Sequence, residues 1–322
     1  MKAILVKEPG GPERMELVET AIPLPGPGQA LVRIAAIGVN FIDIYFRTGL
    51  YKADIPIALG SEAAGTVEAV GPDVTEAAPG DRVAYAMTRG SYAEYALVPA
   101  AQLVKIPEGL DFQAAAAAML QGMTAHYLTH STYPLKSGES CLVHAAAGGA
   151  GGLIVQMARM LGARVLATVS TAEKAAVARE NGAHEVILYT QTDFDAEVKR
   201  LTHGRGVDVV YDSVGRATFE RSLNSLRPRG VLALFGQSSG PVPPFDPTIL
   251  NGKGSLFLTR PSLGHYVLTR EELLWRANDV LGWVASGQLK LRVHKAYSLA
   301  DASQAHRDLE SRGTTGKLLL IP

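Results

Sequence analysis

The sequence predicts an α/β protein in which a doubly wound parallel sheet accompanies a smaller, mostly antiparallel β part. The 322 residues exceed what one ordinary hydrophobic core organises, so two domains are expected. Residues 1 to about 110 hold short apolar or alternating runs broken by Gly and Pro, which is typical of antiparallel strands. From about residue 111, strand-like runs alternate with helical stretches, which predicts βαβ units.

In the β part, Pro- and Gly-rich turns separate the predicted strands. The strands are predicted at 30–35, 63–70, 81–86 and 92–98, with turns at 25–28, 71–73 and 79–81. The C-terminal stretch returns to a different style. Thr269 and Glu272 form a capping box that opens a helix to about residue 284. A second helix near 299–309 precedes a last strand at 317–321.

The parallel sheet is predicted from apolar runs that alternate with helices. Asp111 and the alanines after it predict a helix start before the first of these runs. The predicted strands are 141–145, 164–169, 185–188, 207–211 and 231–235, and the helices between them are 152–161, 172–181 and 217–226. We therefore expect the sheet domain at 123–263, and a β domain made of 1–122 and 264–322.

Composition argues against several classes of protein. The charges of the 31 basic and 31 acidic residues cancel, and no basic cluster stands out, which argues against nucleic-acid binding. No apolar run approaches the ~20 residues that span a bilayer. The N-terminal apolar run covers only residues 3–6, which is too short for a signal peptide. We expect a soluble, cytoplasmic protein without a membrane segment.

The single cysteine, Cys141, excludes an internal disulfide framework and any Cys-rich zinc site within one chain. It lies in an apolar run, where we expect it to be a small buried side chain. The eight histidines also lack the spacing of metal ligands. His126 and His130 are four residues apart, but no third ligand follows nearby. No metal site is expected.

A glycine-rich turn, HAAAGGAGG at 144–152, lies between a predicted strand and a predicted helix. In the register G-x-G-x-x-G, the three key positions are Ala146, Gly148 and Gly151. The second glycine allows the backbone to approach a pyrophosphate, and the third allows the helix to pack on the strand. The first serves only a tight turn, so alanine there is the least damaging departure. The helix N-terminus then favours phosphate, which predicts a dinucleotide site.

The end of the second strand predicts which dinucleotide binds. NAD sites usually present Asp or Glu there, about 20 residues after the turn. Here the strand ends in 168–171, TVST, without an acid. Ser170 and Lys174 can instead hydrogen-bond and pair with a 2′-phosphate, which favours NADPH. Alternatively, Ser170 and Glu173 form a capping box and Lys174 is a solvated charge, and both readings can hold together.

One motif points to a different chemistry. Residues 236–240, GQSSG, match the G-x-S-x-G elbow of serine hydrolases. That elbow needs a helix directly after it. Pro241, Pro243 and Pro244 prevent one, so we do not expect a hydrolase.

Five stretches together resemble a known family. They are 38–51 (GVNFIDIYFRTGLY), 60–65 (GSEAAG), 144–152 (HAAAGGAGG), 211–215 (YDSVG) and 254–263 (GSLFLTRPSL). Over nearly its whole length the chain resembles the zeta-crystallin-like NADPH:quinone oxidoreductases of the medium-chain dehydrogenase/reductase superfamily. The resemblance implies a Rossmann-type domain for NADPH and a GroES-like catalytic domain, with the acceptor in the cleft where they meet. It also implies a homodimer that pairs through an edge strand near 255–259.

The zinc alcohol dehydrogenases of the same superfamily differ at three positions. They place a catalytic Cys where this chain has Asn40, a His where it has Ser61, and a third ligand near Leu120. Their structural zinc lobe needs four cysteines, which this chain lacks. Without a Lewis acid, oxidation of an unactivated alcohol is implausible. Reduction of an electron-poor quinone or enone needs no such activation, because NADPH supplies the hydride and the protein positions the acceptor.

The resemblance also implies the site residues. Asn40, Asp43, Tyr45 and Tyr51 are the catalytic candidates, and the two tyrosines would line the pocket and donate to a carbonyl oxygen. Either tyrosine could instead simply pack at a domain edge with its hydroxyl satisfied. The implied cofactor contacts are Phe41, Ile42, Asp43, Tyr127, Gly148, Gly149, Ala150, Gly151, Ser170, Lys174, Tyr189, Ser213, Phe235, Gly236, Gln237, Ser238, Pro261, Ser262, Leu263 and Arg312.

Two alternatives to quinone reduction stay open. An NADPH-dependent 2-alkenal or enone reductase would share the fold, the cofactor and the three replaced ligand positions. An RNA-binding or structural role is the alternative of another class, because zeta-crystallin-like proteins have been linked to both. The neutral charge argues against RNA binding.

Overall fold

The computed structural model describes residues 1–322 and divides them into two units. Unit 1 contains Met1–Met123 and Tyr266–Pro322, and unit 2 contains Thr124–His265. None of the helices combines the length and the apolarity that crossing a membrane requires.

The chain contains strands of two to eleven residues and helices of five to sixteen. The strands are β1 Lys2–Val6, β2 Met15–Glu19, β3 Gln29–Val39, β4 Ile57–Ala58, β5 Glu62–Val70, β6 Arg82–Ala86, β7 Tyr95–Pro99, β8 Val104–Lys105, β9 Ser140–Val143, β10 Arg164–Val169, β11 Glu185–Leu188, β12 Val207–Asp212, β13 Leu226–Leu234, β14 Phe257–Thr259, β15 Val293–Ser298 and β16 Lys317–Ile321. The helices are α1 Phe41–Arg47, α2 Phe112–Tyr127, α3 Gly149–Met160, α4 Ala172–Glu180, α5 Phe194–Leu201, α6 Phe219–Asn224, α7 Thr248–Gly252, α8 Arg270–Ala285 and α9 Ala302–Glu310.

Unit 1 is built around the long strand β3. β3 pairs antiparallel with β5, β7 and β16, and only β15 and β16 pair in parallel. The larger sheet has the order β15-β16-β3-β5-β6-β8, and a second sheet has the order β2-β1-β4. Gly65 is required in β5, because a Cβ there would lie 2.1 Å from the Arg33 carbonyl oxygen. The prediction of a mostly antiparallel β domain is confirmed.

Unit 2 is built around a parallel sheet with the order β11-β10-β9-β12-β13-β14. Helices connect the successive strands, so both faces of the sheet are covered and its strands read as continuous apolar runs. Leu142, Val210 and Leu232 are fully buried in this core. The strand order reverses between β9 and β12, and in such sheets ligands bind outside the carboxyl ends at this point. The prediction of a doubly wound parallel sheet is confirmed.

The predicted helix starts at Asp111 and Thr269 are confirmed by hydrogen bonds. Ala114 N donates to Asp111 Oδ1 at 2.7 Å. Glu272 N donates to Thr269 Oγ1 at 3.2 Å, and Thr269 N donates back to the Glu272 carboxylate. Both caps satisfy backbone N–H groups that a helix start leaves without partners.

Some predicted element bounds need correction, and one helix was missed. The helix predicted to reach residue 226 ends at Asn224, because Leu226 already pairs with Val207 as the start of β13. The helix predicted from residue 152 begins at Gly149. No element was predicted between 188 and 207, although α5 lies there. Phe194 and Val198, four residues apart, give it a buried apolar side, and this spacing was the missed signal.

Candidate active site

The short helix α1 carries four of the predicted site residues of unit 1 and has two different sides. Phe41 and Tyr45 lie four residues apart, so they share one side of the helix. Asp43 and Arg47 are also four residues apart and share the opposite side, where both are fully buried. The helix therefore separates an aromatic side from a buried polar one.

The aromatic side of α1 extends to Tyr51. The Tyr45 and Tyr51 ring centroids are 5.2 Å apart in an edge-on arrangement, and Tyr51 N donates to Tyr45 O. Phe46 lies 5.7 Å from Tyr51, and Phe41 lies 6.4 Å from Tyr45. Three of the predicted residues, Phe41, Tyr45 and Tyr51, are thus brought together by α1 and the loop after it.

On the polar side, the Asp43 carboxylate accepts three hydrogen bonds. Ser61 Oγ donates to Oδ1 at 2.7 Å, while Asn40 N and Tyr92 OH donate to Oδ2 at 3.0 and 3.2 Å. Burial raises the pKa of Asp43 to about 7, although the bonds from Ser61 and Asn40 oppose the rise. Asp43 is fully enclosed and its oxygens are engaged, so its position favours holding Ser61 and Asn40 in place.

The network continues from Tyr92 to His306, Arg47 and Glu310, and no sequence pattern singles out His306 or Glu310. Tyr92 OH lies 2.9 Å from His306 Nε2, and Arg47 Nη1 lies 3.1 Å from His306 Nδ1. Arg47 also holds the Glu310 carboxylate through two bonds of 2.8 and 3.0 Å. Arginine can only donate, so His306 Nδ1 accepts and Nε2–H donates to Tyr92. Burial and the Arg47 charge lower the pKa of His306 to about 3.

Asn40 belongs to a second buried cluster. Its Nδ2 donates to Glu62 Oε1 at 2.7 Å and to Gly38 O at 3.3 Å. Its Oδ1 accepts from Lys317 Nζ at 2.8 Å and from Gln121 Nε2 at 3.3 Å. Lys317 also pairs with Glu62, and both side chains are buried. Both amide groups of Asn40 are therefore engaged inside unit 1.

The two buried networks together contain the three positions at which the resemblance places zinc ligands of the alcohol dehydrogenases. Asn40 and Ser61 are bonded as described, and Leu120 N donates to Glu62 Oε2 at 2.6 Å. An amide, a hydroxyl and an aliphatic side chain replace the ligands. The structure nowhere gathers three or more His, Cys, Asp or Glu side chains in a metal-binding group.

In unit 2, the glycine-rich turn follows β9 and leads into α3. Gly148 occupies the N-cap and has no capping side chain, so the first N–H groups of α3 are not capped by one. A Cβ on Gly148 would come within 3.1 Å of Ala145 O, and one on Gly151 within 2.3 Å. Gly151 is thus needed for close packing on the turn, and the uncapped helix start fits the diphosphate of a dinucleotide.

The tight turn itself differs in one detail from the sequence prediction. Ala145, not Ala146, has the left-handed backbone conformation, with φ of 51°. Gly148 N closes the turn by donating to Ala145 O at 2.9 Å. A non-glycine residue in this region is strained, so the position where a glycine would help is one residue earlier than expected.

Ser170, Lys174 and Tyr189 follow neighbouring strands at the same edge of the sheet. Val169 pairs with Leu188, so Ser170 and Tyr189 are the residues directly after this pair. The alternative capping box of Ser170 and Glu173 is wrong, because α4 is capped by Thr171. Its Oγ1 accepts from Lys174 N at 3.3 Å. Two adjacent hydroxyl residues made the cap ambiguous by one position, and the correction leaves the Ser170 hydroxyl outside the cap.

The loops after β12 and β13 hold another group of predicted cofactor residues. Ser238 N donates to Ser213 O at 3.1 Å, and Phe235 N donates to Asp212 O at 2.8 Å. A Cβ on Gly236 would lie 2.5 Å from Ser213 O, so the loops approach closely only because residue 236 is glycine. Gln237 lies between these contacts. No helix follows this loop until Thr248, so the motif lacks the helix that a hydrolase elbow needs directly after it.

The remaining predicted cofactor residues lie elsewhere in their units. Tyr127 is buried at the end of α2. The stretch 261–263 follows β14 and contains the buried Leu263, and Arg312 lies just after α9 in unit 1. Ile42 lies in the first turn of α1. Their contacts with a cofactor stay predictions.

Comparison with known proteins agrees with this arrangement. The family model of the alcohol dehydrogenase GroES-like domain matches residues 26–108, and that of the zinc-binding dehydrogenases matches 149–271. The second range contains none of the positions 40, 61 and 120.

Full-length relatives are also similar to this chain. A quinone oxidoreductase of Pseudomonas aeruginosa is 47% identical over 97% of both chains. A 2-haloacrylate reductase of a Burkholderia species is 44% identical over 99% of this chain and 98% of its own. The crystal structure of Escherichia coli quinone oxidoreductase complexed with NADPH superposes with a TM-score of 0.98 at 45% identity, and covers 100% of both chains. The chain belongs to the quinone oxidoreductase family of the medium-chain dehydrogenase/reductase superfamily.

Proposed function

We propose that the chain catalyses the NADPH-dependent reduction of quinones without a bound metal. The observation that carries this proposal is the glycine-rich turn at the start of α3, together with a second strand that ends without an acid. The relatives named quinone oxidoreductases support the choice of acceptor, and the NADPH complex of one of them supports the choice of cofactor.

In this proposal, unit 2 binds the cofactor through three groups. The N–H groups of Gly149, Ala150 and Gly151 hold the diphosphate, since they point from the positive end of α3. Ser170, Lys174 and Tyr189 hold the 2′-phosphate. The loops that carry Ser213 and Phe235–Ser238 contact the nicotinamide half. NADPH supplies the hydride when bound.

Unit 1 supplies the acceptor side in this proposal. Tyr45 and Tyr51 line the pocket, and their hydroxyls donate to the carbonyl oxygen on which negative charge develops. In this proposal, Asn40 and Asp43 act indirectly, through α1. Because their polar groups are engaged with Glu62, Lys317, Ser61 and Tyr92, we assign them a positioning role for α1 and not a direct contact with the acceptor.

The acceptor is tested by NADPH consumption with phenanthrenequinone, naphthoquinone, 2-alkenals and 2-haloacrylates. We expect turnover with the quinones. The 2-haloacrylate reductase among the relatives makes reduction of an activated alkene the second candidate. Activity on alkenes alone would replace quinone reduction by that reaction. A chelator should leave the rate unchanged, and inhibition by the chelator would overturn the metal-free proposal.

The cofactor choice is tested by Lys174→Ala. We expect a higher KM for NADPH and little change for NADH, because only NADPH carries the 2′-phosphate. Arg179→Ala removes another cation from the same helix and is the matched control. Equal effects of Lys174→Ala on both cofactors would refute the 2′-phosphate role.

We further propose a cytoplasmic homodimer. β14 is the edge strand of its sheet and Phe257 on it is 61% exposed, which favours pairing of two copies along this edge. Sedimentation of the protein and of Phe257→Asp tests this, since the variant should sediment as a monomer.

RNA binding is the alternative from another class of function. Absence of RNA binding at low salt would remove this alternative.

A further inference from the structure

His144 is the first residue of the glycine-rich stretch 144–152 and directly precedes the turn 145–151, but it has no role in the proposed function. Its side chain is 1% exposed and packs edge-on against Phe194, with ring centroids 4.8 Å apart. Nδ1 lies 2.7 Å from Thr168 Oγ1, and Nε2 lies 3.0 Å from Ser222 Oγ. A fully buried histidine with both nitrogens bonded is held in one orientation.

The partners determine the tautomer of His144. Ser222 Oγ donates its single proton to Asp212 Oδ2 at 2.8 Å, so it can only accept from His144. Nε2 therefore carries the proton, and Nδ1 accepts from the Thr168 hydroxyl. Burial lowers the pKa of His144, which keeps the ring neutral as this arrangement requires. The result is a directed chain of hydrogen bonds from Thr168 through His144 and Ser222 to Asp212, called the His144 chain below.

The His144 chain ends on the Asp212 carboxylate, which also accepts hydrogen bonds from the loop after β12. Asp212 Oδ1 accepts from Val214 N at 2.7 Å and from Gly215 N at 3.0 Å. Thr218 Oγ1 donates to Oδ2 at 2.7 Å. The side chain thereby fixes the backbone that directly follows Ser213.

The His144 chain of hydrogen bonds joins the carboxyl ends of three adjacent strands, β10, β9 and β12. Thr168 lies in β10, two residues before Ser170, and His144 directly follows β9. Asp212 is the last residue of β12. Each of these ends leads into a segment that the proposed function assigns to NADPH. Since backbone pairing fixes the strands but not the loops after them, side-chain bonds at this edge set how the loops align.

We propose that His144 is a positioning residue for NADPH, which aligns the turn 145–151 with the loops that begin at Ser170 and Ser213. The inference rests on the proposed function, because it requires that these three segments bind the dinucleotide. Histidine suits this position because a single neutral ring accepts on one side and donates on the other. Phenylalanine would keep the packing on Phe194 and lose both bonds.

The test is NADPH affinity, measured by titration of cofactor fluorescence, alongside steady-state kinetics with a quinone. We expect His144→Phe and Ser222→Ala to raise Kd and KM for NADPH by about tenfold, the effect of losing one or two buried hydrogen bonds. At saturating NADPH, kcat should stay within about twofold, because the acceptor side is untouched.

Ser225→Ala is the matched control. Ser225 is as buried as Ser222, but its hydroxyl donates to Arg221 O and lies outside the chain. A merely structural role would lower the melting temperature in both serine variants without separating their affinities. Equal Kd values for Ser222→Ala and Ser225→Ala would overturn the inference. If the unaltered protein does not bind NADPH, the proposed function fails instead, so the two failures are distinguishable.

Discussion

In each unit a buried neutral histidine belongs to a directed chain of hydrogen bonds that ends on an aspartate. The two chains of hydrogen bonds begin with different donors. In unit 1, His306 accepts from the Arg47 guanidinium and donates towards Tyr92 and Asp43. In unit 2, His144 accepts from the Thr168 hydroxyl. The chain of unit 1 thus contains a permanent cation, whereas that of unit 2 contains neutral donors only.

The aspartates at the two ends differ as well. Asp212 accepts two of its bonds from backbone N–H groups of the loop that follows it. Asp43 accepts only one bond from a backbone N–H group, that of Asn40 before it, and lies beside the buried Lys317–Glu62 pair. The interior of unit 1 is therefore balanced by charge pairs, and the loss of one partner leaves a buried charge. In unit 2 a single loss leaves a carboxylate that is still well bonded.

The largest effect is expected for Lys317→Met, which removes the cation from the Glu62 pair. An uncompensated buried charge costs about 3–5 kcal/mol of the free energy of unfolding. The midpoint of urea unfolding measures this loss. Lys7→Met breaks an exposed pair with Glu16 and is the control, with an effect of at most about 1 kcal/mol.

A second substitution shows whether the unpaired charge is the cause. Glu62→Gln added to Lys317→Met removes that charge and keeps one acceptor oxygen, which can serve Leu120 N or Asn40 Nδ2 but not both. We expect the double variant to regain part of the lost stability. A double variant less stable than Lys317→Met alone would contradict the charge-pair account of unit 1.

The next effect concerns pH and separates His306 from an exposed histidine. The pKa of His306 in the folded protein is lowered to about 3, by burial first and then by Arg47. Between pH 6.5 and 3 the unfolded chain therefore binds a proton that the folded chain refuses. This contribution to stability is complete above pH 6.5 and is lost as the pH falls.

His306→Gln tests this because glutamine does not titrate. From pH 7 to pH 5 the native protein should lose about 2 kcal/mol more than this variant, measured as unfolding free energy from urea titrations. His265→Gln replaces an exposed histidine and is the control for the loss of a histidine in itself. Identical pH dependence of the native protein and His306→Gln would show that His306 is not held neutral.

The sequence predicts what depends on local patterns. Alternating runs and caps such as Asp111 and Thr269 placed the elements, because a cap needs only residues three positions apart. The glycine-rich turn was recognisable since strand, glycines and helix are contiguous. Even there, the choice between Ser170 and Thr171 as the cap depended on where β10 ends, which the sequence alone does not determine.

The buried networks were not predictable, because they join residues that are distant in the sequence. His306 lies 259 positions from Arg47 and 214 from Tyr92, and no local pattern relates these residues. The sequence predicts Lys317 only as the start of a strand. No neighbouring residue in the sequence indicates that its ammonium group donates to Asn40. The aromatic side of α1 can be recognised from the sequence, because its aromatic residues are close together along the chain. The partners of the polar side cannot be recognised in this way, because they come from distant strands and helices.

The smallest effect is expected in unit 2, where the comparison is most easily broken. Thr218→Val keeps the shape of the side chain and removes one of the four donors to Asp212. Since three donors remain, the carboxylate keeps most of its stabilisation, and the loss should be about 1 kcal/mol in the free energy of unfolding. NADPH affinity should stay within about twofold, because the chain through His144 and Ser222 is intact. A loss as large as that of Lys317→Met would show that unit 2 is no more tolerant than unit 1, and that backbone donors do not replace a charge pair.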